Sequence, residues 1–207
     1  MDVSIEQVQR TFDVNVYGAL RMARAVVPHM ATRKKGMIIN VSSVSGEMYV
    51  PLHYPTPFHL SHPERYSSPR PTPWNGIYCA SKAALHSLTS VLQMECRALG
   101  IHVVLLAAGS VKSNLADNQA KSFDLPPTSL YQSFLQNMYK RMYTSQEKEA
   151  MPTSVFARTI VERVMRKGGG SPPGYICLGG HVLTVRILRW LPRSLMLWLL
   201  WRAFSAK

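Results

Sequence analysis

"NGIYCASKAAL", residues 75–85, opens an apolar helical pattern with a tyrosine and a lysine four positions apart. On a helix, side chains at that spacing share a face and reach one another. Tyr78 and Lys82 therefore read in two ways. One is an exposed lysine leaning on a half-buried ring. The other is a phenol whose acidity a neighbouring ammonium tunes for proton transfer. The pair by itself favours the first reading, and the flanking segments must decide. Ala83, Ala84, Leu85, Leu88, Val91, Leu92 and Cys96 recur at helical spacing, which predicts a helix from Tyr78 to about Leu99.

Strand-like runs lie on both sides of that helix. "GMIINVSS" (36–43) and "GIHVVLLAAG" (100–109) are short, apolar and bounded by glycine or serine, as strands buried on both faces are. "GYICLGG" (174–180) is a third such run. Ahead of the first, residues 4–30 read as one long helix. Ser4 and Gln7 make an S-x-x-Q capping box. Ile5, Val8, Phe12, Val16, Ala19, Leu20, Ala23, Val27 and Met30 form its apolar stripe, with Asn15 set inside it. A buried amide needs partners, and a core Asn bonded to nearby backbone is the simplest account. Two more helices are expected over 124–142 and 152–170, the second introduced by Pro152 and closed by glycines. The alternation predicts an α/β domain around a parallel sheet. There are no internal repeats.

Two stretches differ in character. Residues 49–73 hold half of the 14 prolines and three of the seven histidines, which suits neither a helix interior nor a central strand. An irregular loop is expected. His53, His59 and His62 sit in it, but a Pro-rich segment pre-organises ligands poorly, so no metal site is expected. The tail, 182–204, is apolar and Trp-rich, carries Arg186, Arg189, Arg193 and Arg202, and is broken by Pro192. Its uncharged runs are far below the roughly 20 residues of a bilayer span. An interfacial helix with Trp and Arg at headgroup level fits better, and packing on the domain or on a second copy is the alternative.

A chain of 207 residues suits one domain, and its 46% apolar content is that of a globular protein. The net charge of +13 suits phosphate-bearing ligands, an anionic membrane surface or nucleic acid. No zinc-finger or RNA-binding signature interleaves with the basic residues, so nucleic acid is set aside. Cys79, Cys96 and Cys177 are isolated and odd in number, which argues against a disulfide framework and for a reducing compartment. The polar, acidic start "MDVSIEQVQR" is not a signal peptide.

Taken in order, "FDVNVYG", "NVSSVSG", "YCASK" and "AAGSVKS" resemble the short-chain dehydrogenase/reductase family. The family pattern is an Asn in a helix, a Ser at a strand end, Tyr-x-x-x-Lys and a Pro-Gly-x-Val-x-Thr loop. It falls here on Asn15, Ser43, Tyr78, Lys82 and the loop 108–113. The resemblance implies a Rossmann-like, doubly wound three-layer α/β/α fold, of which residues 1–181 would be the C-terminal portion. It implies carbonyl reduction with Tyr78 as general acid, Lys82 lowering its pKa and holding the cofactor ribose, and Ser43 hydrogen-bonding the substrate oxygen. Asn15 would place a water that passes protons to Lys82, and Gly109 and Val111 would approach the nicotinamide. Ser113 stands for the usual Thr, and Ala108 for the usual Pro. A narrower resemblance, in "TPWNGIYCASKAAL", "GSVKSNLADN" and the tail, is to a fungal branch related to 1-acyldihydroxyacetone-phosphate reductase. That branch implies NADPH as donor, with NADH left open, and a lipid-linked ketone as substrate. It also implies peripheral contact of 182–207 with endoplasmic reticulum or lipid droplet from the cytoplasmic side. A homo-oligomer is left open.

Two departures qualify the expectation. The family's glycine-rich phosphate turn, in a first βαβ unit, is not in the sequence. A truncated fragment would keep the catalytic face without holding cofactor, and would leave an open sheet edge. A protein that acts only at a membrane surface is a further alternative. The Ser43-to-Tyr78 interval of 35 also exceeds the family's, and deleting about residues 50–71 restores it. That stretch reads as an insertion, either a lid or an in-frame retained intron.

Overall fold

The computed structural model describes residues 2–47, 72–165, 171–188 and 191–205. Its centre is a three-stranded parallel sheet in the order β1 (Gly36–Ser43), β2 (Ile101–Ala108), β3 (Tyr175–Leu178). Gly36 pairs with Ile101 and Ser43 with Ala108, so β1 and β2 end side by side. Whatever follows Ser43 and Ala108 emerges at one edge of the sheet, where open α/β sheets carry their sites.

Side chains alternate across β2. Ile101 and Val103 join Ala23, Leu92 and Cys96 on one face, against α2 (Gly18–Thr32) and α3 (Gly76–Arg97). Val104 and Leu106 join Val164, Ile176 and Leu178 on the other, under α6 (Thr153–Val164). Both faces are covered, which is why β2 reads as an unbroken apolar run. This is the three-layer α/β/α arrangement expected.

The first helical segment differs from expectation. The capping box forms as read: Gln7 N–H donates to Ser4 Oγ at 3.2 Å and Ser4 N–H to Gln7 Oε1 at 3.1 Å. The helix is not regular throughout, however. α1 (Ile5–Phe12) passes into a π-helical turn, Asp13–Tyr17, before α2. The Gly18 N–H bonds to Asp13 O, one residue further back than in an α-helix. The extra residue re-aims Asn15, and the expected stripe is only partly covered: Ile5 stays 67% exposed while Ala23 is buried.

Residues 124–131 are not helical. Pro126 and Pro127 have no N–H to give a helix, and α5 is confined to Leu135–Tyr143, after a 3-10 turn at Gln132–Phe134. A short helix not foreseen, α4 (Leu115–Lys121), follows the β2 loop. The tail divides at Pro192 into α7 (Val182–Leu188) and α8 (Arg193–Ser205). One side of α8 packs on the domain: Trp201 lies 5.9 Å from Trp74 and 5.7 Å from Phe134, ring to ring. Asn137 Nδ2 donates to Phe204 O at 2.7 Å. No helix of the described residues is long and apolar enough to cross a membrane. Among the described residues Cys79, Cys96 and Cys177 form no disulfide with one another. The stretch about 50–71, with His53, His59 and His62, lies outside the described residues.

Candidate active site

Ser43 is the last residue of β1 and is buried. The chain then turns through a 3-10 turn, Val44–Gly46, closed by Ser45 N–H on Ser43 Oγ at 3.1 Å. This turn lies flat on α3. A Cβ on Gly46 would fall 2.5 Å from the Lys82 carbonyl carbon, so only glycine allows the approach. Ser42 Oγ donates to Lys82 O at 3.3 Å. The first turns of α3 are thereby pressed against the end of β1, and the Ser43 side chain lies near enough to the Tyr78 hydroxyl to favour its ionised form.

Lys82 stands one turn along, with Nζ 5.7 Å from the Tyr78 ring centroid. Among the described residues the Lys82 Nζ makes one hydrogen bond, to Val41 O at 3.3 Å. Asn15 reaches the same helix from the π-helical turn. Its Nδ2 donates to Ser81 Oγ at 3.0 Å, and Ser81 Oγ donates to Tyr78 O at 2.8 Å. The core-amide account of Asn15 gives way to a side-chain link, through Ser81, to the backbone that carries Tyr78. Asn15, Ser43, Tyr78 and Lys82 thus converge on the β1 end of α3.

The electrostatics differ from expectation in one respect. Burial pushes the Tyr78 phenol above its ordinary pKa of 10.0. The nearby Ser43 side chain pulls it down, and the Arg141 guanidinium adds a smaller pull; Lys82 is not among the groups that move it. Burial likewise lowers Lys82. Lys82 acts on the ring as a cation over a face, not on the hydroxyl as a neighbour.

Gly109, Val111 and Ser113 lie at the end of β2. Gly109 N–H donates to Leu178 O at 2.8 Å and Ser110 N–H to Gly180 O at 3.0 Å. A Cβ on Gly109 would fall 2.4 Å from Gly180 O, so the glycine is needed by its own β3 neighbour. Gln146 clasps the loop, accepting from Ser113 N–H at 3.0 Å and donating to Val111 O at 3.5 Å. Ser113 itself is exposed.

Three residues escaped the sequence reading. His86 continues the four-residue spacing of Tyr78 and Lys82, and that spacing was the signal for it. Its Nε2 lies 3.2 Å from Ser43 O; because a carbonyl only accepts, that nitrogen carries the proton. Gln146 and Arg141 come from segments distant in sequence, and no local pattern marks them.

Burial lowers the His86 pKa from 6.5 to about 4. As pH falls below 6.5 the unfolded chain takes up a proton that the folded chain refuses, so stability drops until pH 4 is passed. Acid unfolding of wild type should therefore show an extra loss of up to about 3 kcal/mol between those values. His86→Gln, compared by denaturant titration across the same range, should remove that slope.

The family model for short chain dehydrogenases matches residues 1–55 and 67–123, breaking off inside the Pro/His-rich stretch. Short-chain dehydrogenase RED1 of Pyricularia oryzae is 27% identical over 99% of the chain and 63% of its own length. The 3-ketodihydrosphingosine reductase of Bacteroides thetaiotaomicron is 26% identical over 92% of the chain and 62% of its own. The chain spans between half and two thirds of the length of such relatives. Among solved structures, a short-chain dehydrogenase from Streptomyces avermitilis superposes with a TM-score of 0.61 at 20% identity, covering 99% of the chain and 63% of that protein. One from Burkholderia phymatum, solved in complex with NAD, superposes with a TM-score of 0.60 at 24% identity, over 89% and 58%. With the sheet, the order of its motifs and the matched residues in agreement, the chain belongs to the short-chain dehydrogenase family of oxidoreductases.

Proposed function

We propose that this chain supplies the proton-transfer side of an NAD(P)H-dependent reductase that converts a lipid-borne ketone to an alcohol, with Tyr78 as general acid. The observation that carries the reading is the packing of the β1 end, with Ser43, against the turns of α3 that carry Tyr78 and Lys82, at the sheet end shared with the loop 109–113. Two hydroxyls so placed can both turn to one carbonyl oxygen. Negative charge grows on that oxygen as its carbon is reduced, and donors already aimed at it stabilise the charge. Burial keeps Tyr78 protonated at neutral pH, the form that can give a proton. Asn15 holds the helix turn through Ser81.

The residues present fit the nicotinamide-ribose end of a dinucleotide. Lys82 has three N–H donors and spends one on Val41 O, which leaves two for ribose hydroxyls beside the Tyr78 hydroxyl. The backbone at Gly109 and Val111 and the exposed Ser113 hydroxyl suit the carboxamide end. When bound, the dinucleotide supplies the hydride.

For substrate, the reading extends to acyl-dihydroxyacetone phosphate or a related lipid carbonyl. An apolar groove of about 320 Å³ lies between Trp74, Tyr131, Leu197, Leu200 and Trp201, one turn ahead of Tyr78, and suits an alkyl chain. The name of the Bacteroides relative, which specifies a ketone on a sphingoid base, is in keeping with it. On α8, Met196 and Leu200 are buried while Leu195 and Trp198 are exposed, with Arg202 5.0 Å over the Trp198 ring. That outward face suits peripheral contact with an anionic bilayer, at the cytoplasmic side of endoplasmic reticulum or a lipid droplet. Replacing Leu195 and Trp198 together by Asp should lower co-sedimentation with anionic vesicles at least about tenfold, since each apolar side chain buried contributes some 1.5–3 kcal/mol. Unchanged co-sedimentation would remove the tail from membrane contact. The reductase reading is tested by following cofactor oxidation that depends on an acyl ketone.

A further inference from the structure

α5 carries a cation where apolar side chains belong. Met138, Arg141 and Met142 fall on one face of the helix by their spacing, and both methionines are nearly fully buried, at 4% and 5% exposure. Arg141, beside them, is partly buried. Among the described residues its guanidinium makes one hydrogen bond, Nη2 to Gln119 Oε1 of α4 at 3.3 Å, and no ion pair. The groups it acts on electrostatically are Tyr78 and Cys79. Burial keeps both the phenol and the thiol in their neutral forms at pH 7, so neither is a counter-charge. Drawing a guanidinium partly out of water without an anion is costly. Such a fork, with four of its five N–H groups uncommitted, is built to receive a planar or tetrahedral oxyanion.

The place of Arg141 also matters. Phe134, just ahead of α5, lies 5.5 Å ring to ring from Trp74, which lines the apolar groove with Thr72 and Trp201. Arg141 therefore stands on the helix that starts at the groove, within electrostatic reach of the Tyr78 hydroxyl. We propose that Arg141 binds the anionic head of an amphipathic carbonyl substrate, a phosphate or carboxylate, while the groove beside Trp74 holds its alkyl chain. This rests on the reductase reading for the word substrate, but the anion site itself is a property of the fold. Gln119 orients the fork, and its amide N–H₂ offers a further donor to the same anion.

The test is binding, read from the fluorescence of Trp74 and Trp201, with decyl phosphate, decanoate and decanol as probes of one chain length and three heads. Wild type should bind one or both anions at least about tenfold tighter than decanol. Arg141→Gln should lose roughly ten- to a hundredfold for the preferred anion while decanol changes by less than about threefold. Arg141→Lys, which keeps the charge and loses the fork, should fall between the two. The difference between decyl phosphate and decanoate identifies the head. An unchanged anion affinity in Arg141→Gln overturns the proposal. So does an equal loss of decanol in both variants, which would make the arginine a structural residue. A wild type that binds anions through Arg141 but reduces no acyl ketone would keep the site and sink the reductase reading.

Discussion

Tyr78→Phe should lower carbonyl reduction by about a hundred- to ten-thousandfold, the usual contribution of a positioned general acid. The loss should fall on kcat, because the phenyl ring keeps the packing and the Lys82 contact while the proton is gone. Stability should change little. The sign of the pH dependence follows from the same geometry. Reduction needs the protonated phenol, and burial holds its pKa above the ordinary value. Wild-type reduction should therefore stay level through neutral pH and decline only on the alkaline side of 10.0. A Tyr78→Phe protein with near-normal turnover would remove the phenol from the chemistry.

Gly46→Ala should be nearly as damaging, although Gly46 has no side chain to act with. The added methyl would meet the Lys82 carbonyl carbon at 2.5 Å and the Lys82 oxygen and Cβ at 2.7 Å. These are backbone or near-backbone atoms, so the turn must lift off α3 by about 1 Å. A displacement of that size in a reacting constellation costs on the order of a hundredfold in rate. Overpacking should also lower stability by about 1–3 kcal/mol. Rates measured beside thermal unfolding separate the two effects: the folded variant should still be slow well below its midpoint. A folded Gly46→Ala protein with wild-type rate would mean that the Ser43–Tyr78 geometry does not depend on this contact.

The parts legible in the sequence are those set by local periodicity. β1, β2 and α3 announce themselves because apolar runs and a helical stripe meet at glycines, and the pairing of Ser43 with Ala108 follows once the strands are parallel. Ser43, Tyr78 and Lys82 stand out by residue type and order, although the Ser43-to-Tyr78 interval of 35 does not fit. The π-helical turn at Asp13–Tyr17 was not. Its stripe fits a regular helix equally well, and the extra residue is settled by a bond from Asn15 to Ser81, 66 positions away. The helix expected over 124–142 was overextended because apolar spacing outweighed the two prolines at its start. Arg141 and Gln146 are ordinary polar residues on a segment with no motif, and only the fold brings them to the loop and the phenol. The tail was read for its outward face, but its inward face, Trp201 on Trp74 and Phe134, closes the groove near Tyr78.

The central claim is that Ser43, Tyr78 and Lys82 form a site where a ketone becomes an alcohol. The most direct measurement supplies the protein with an acyl ketone and NADPH deuterated at its transferable position, and follows the label by mass spectrometry. The account predicts deuterium on the carbinol carbon of the alcohol, in proportion to cofactor oxidised, and none with Tyr78→Phe. Alcohol formed without the label, or labelled alcohol formed equally well by Tyr78→Phe, would contradict it.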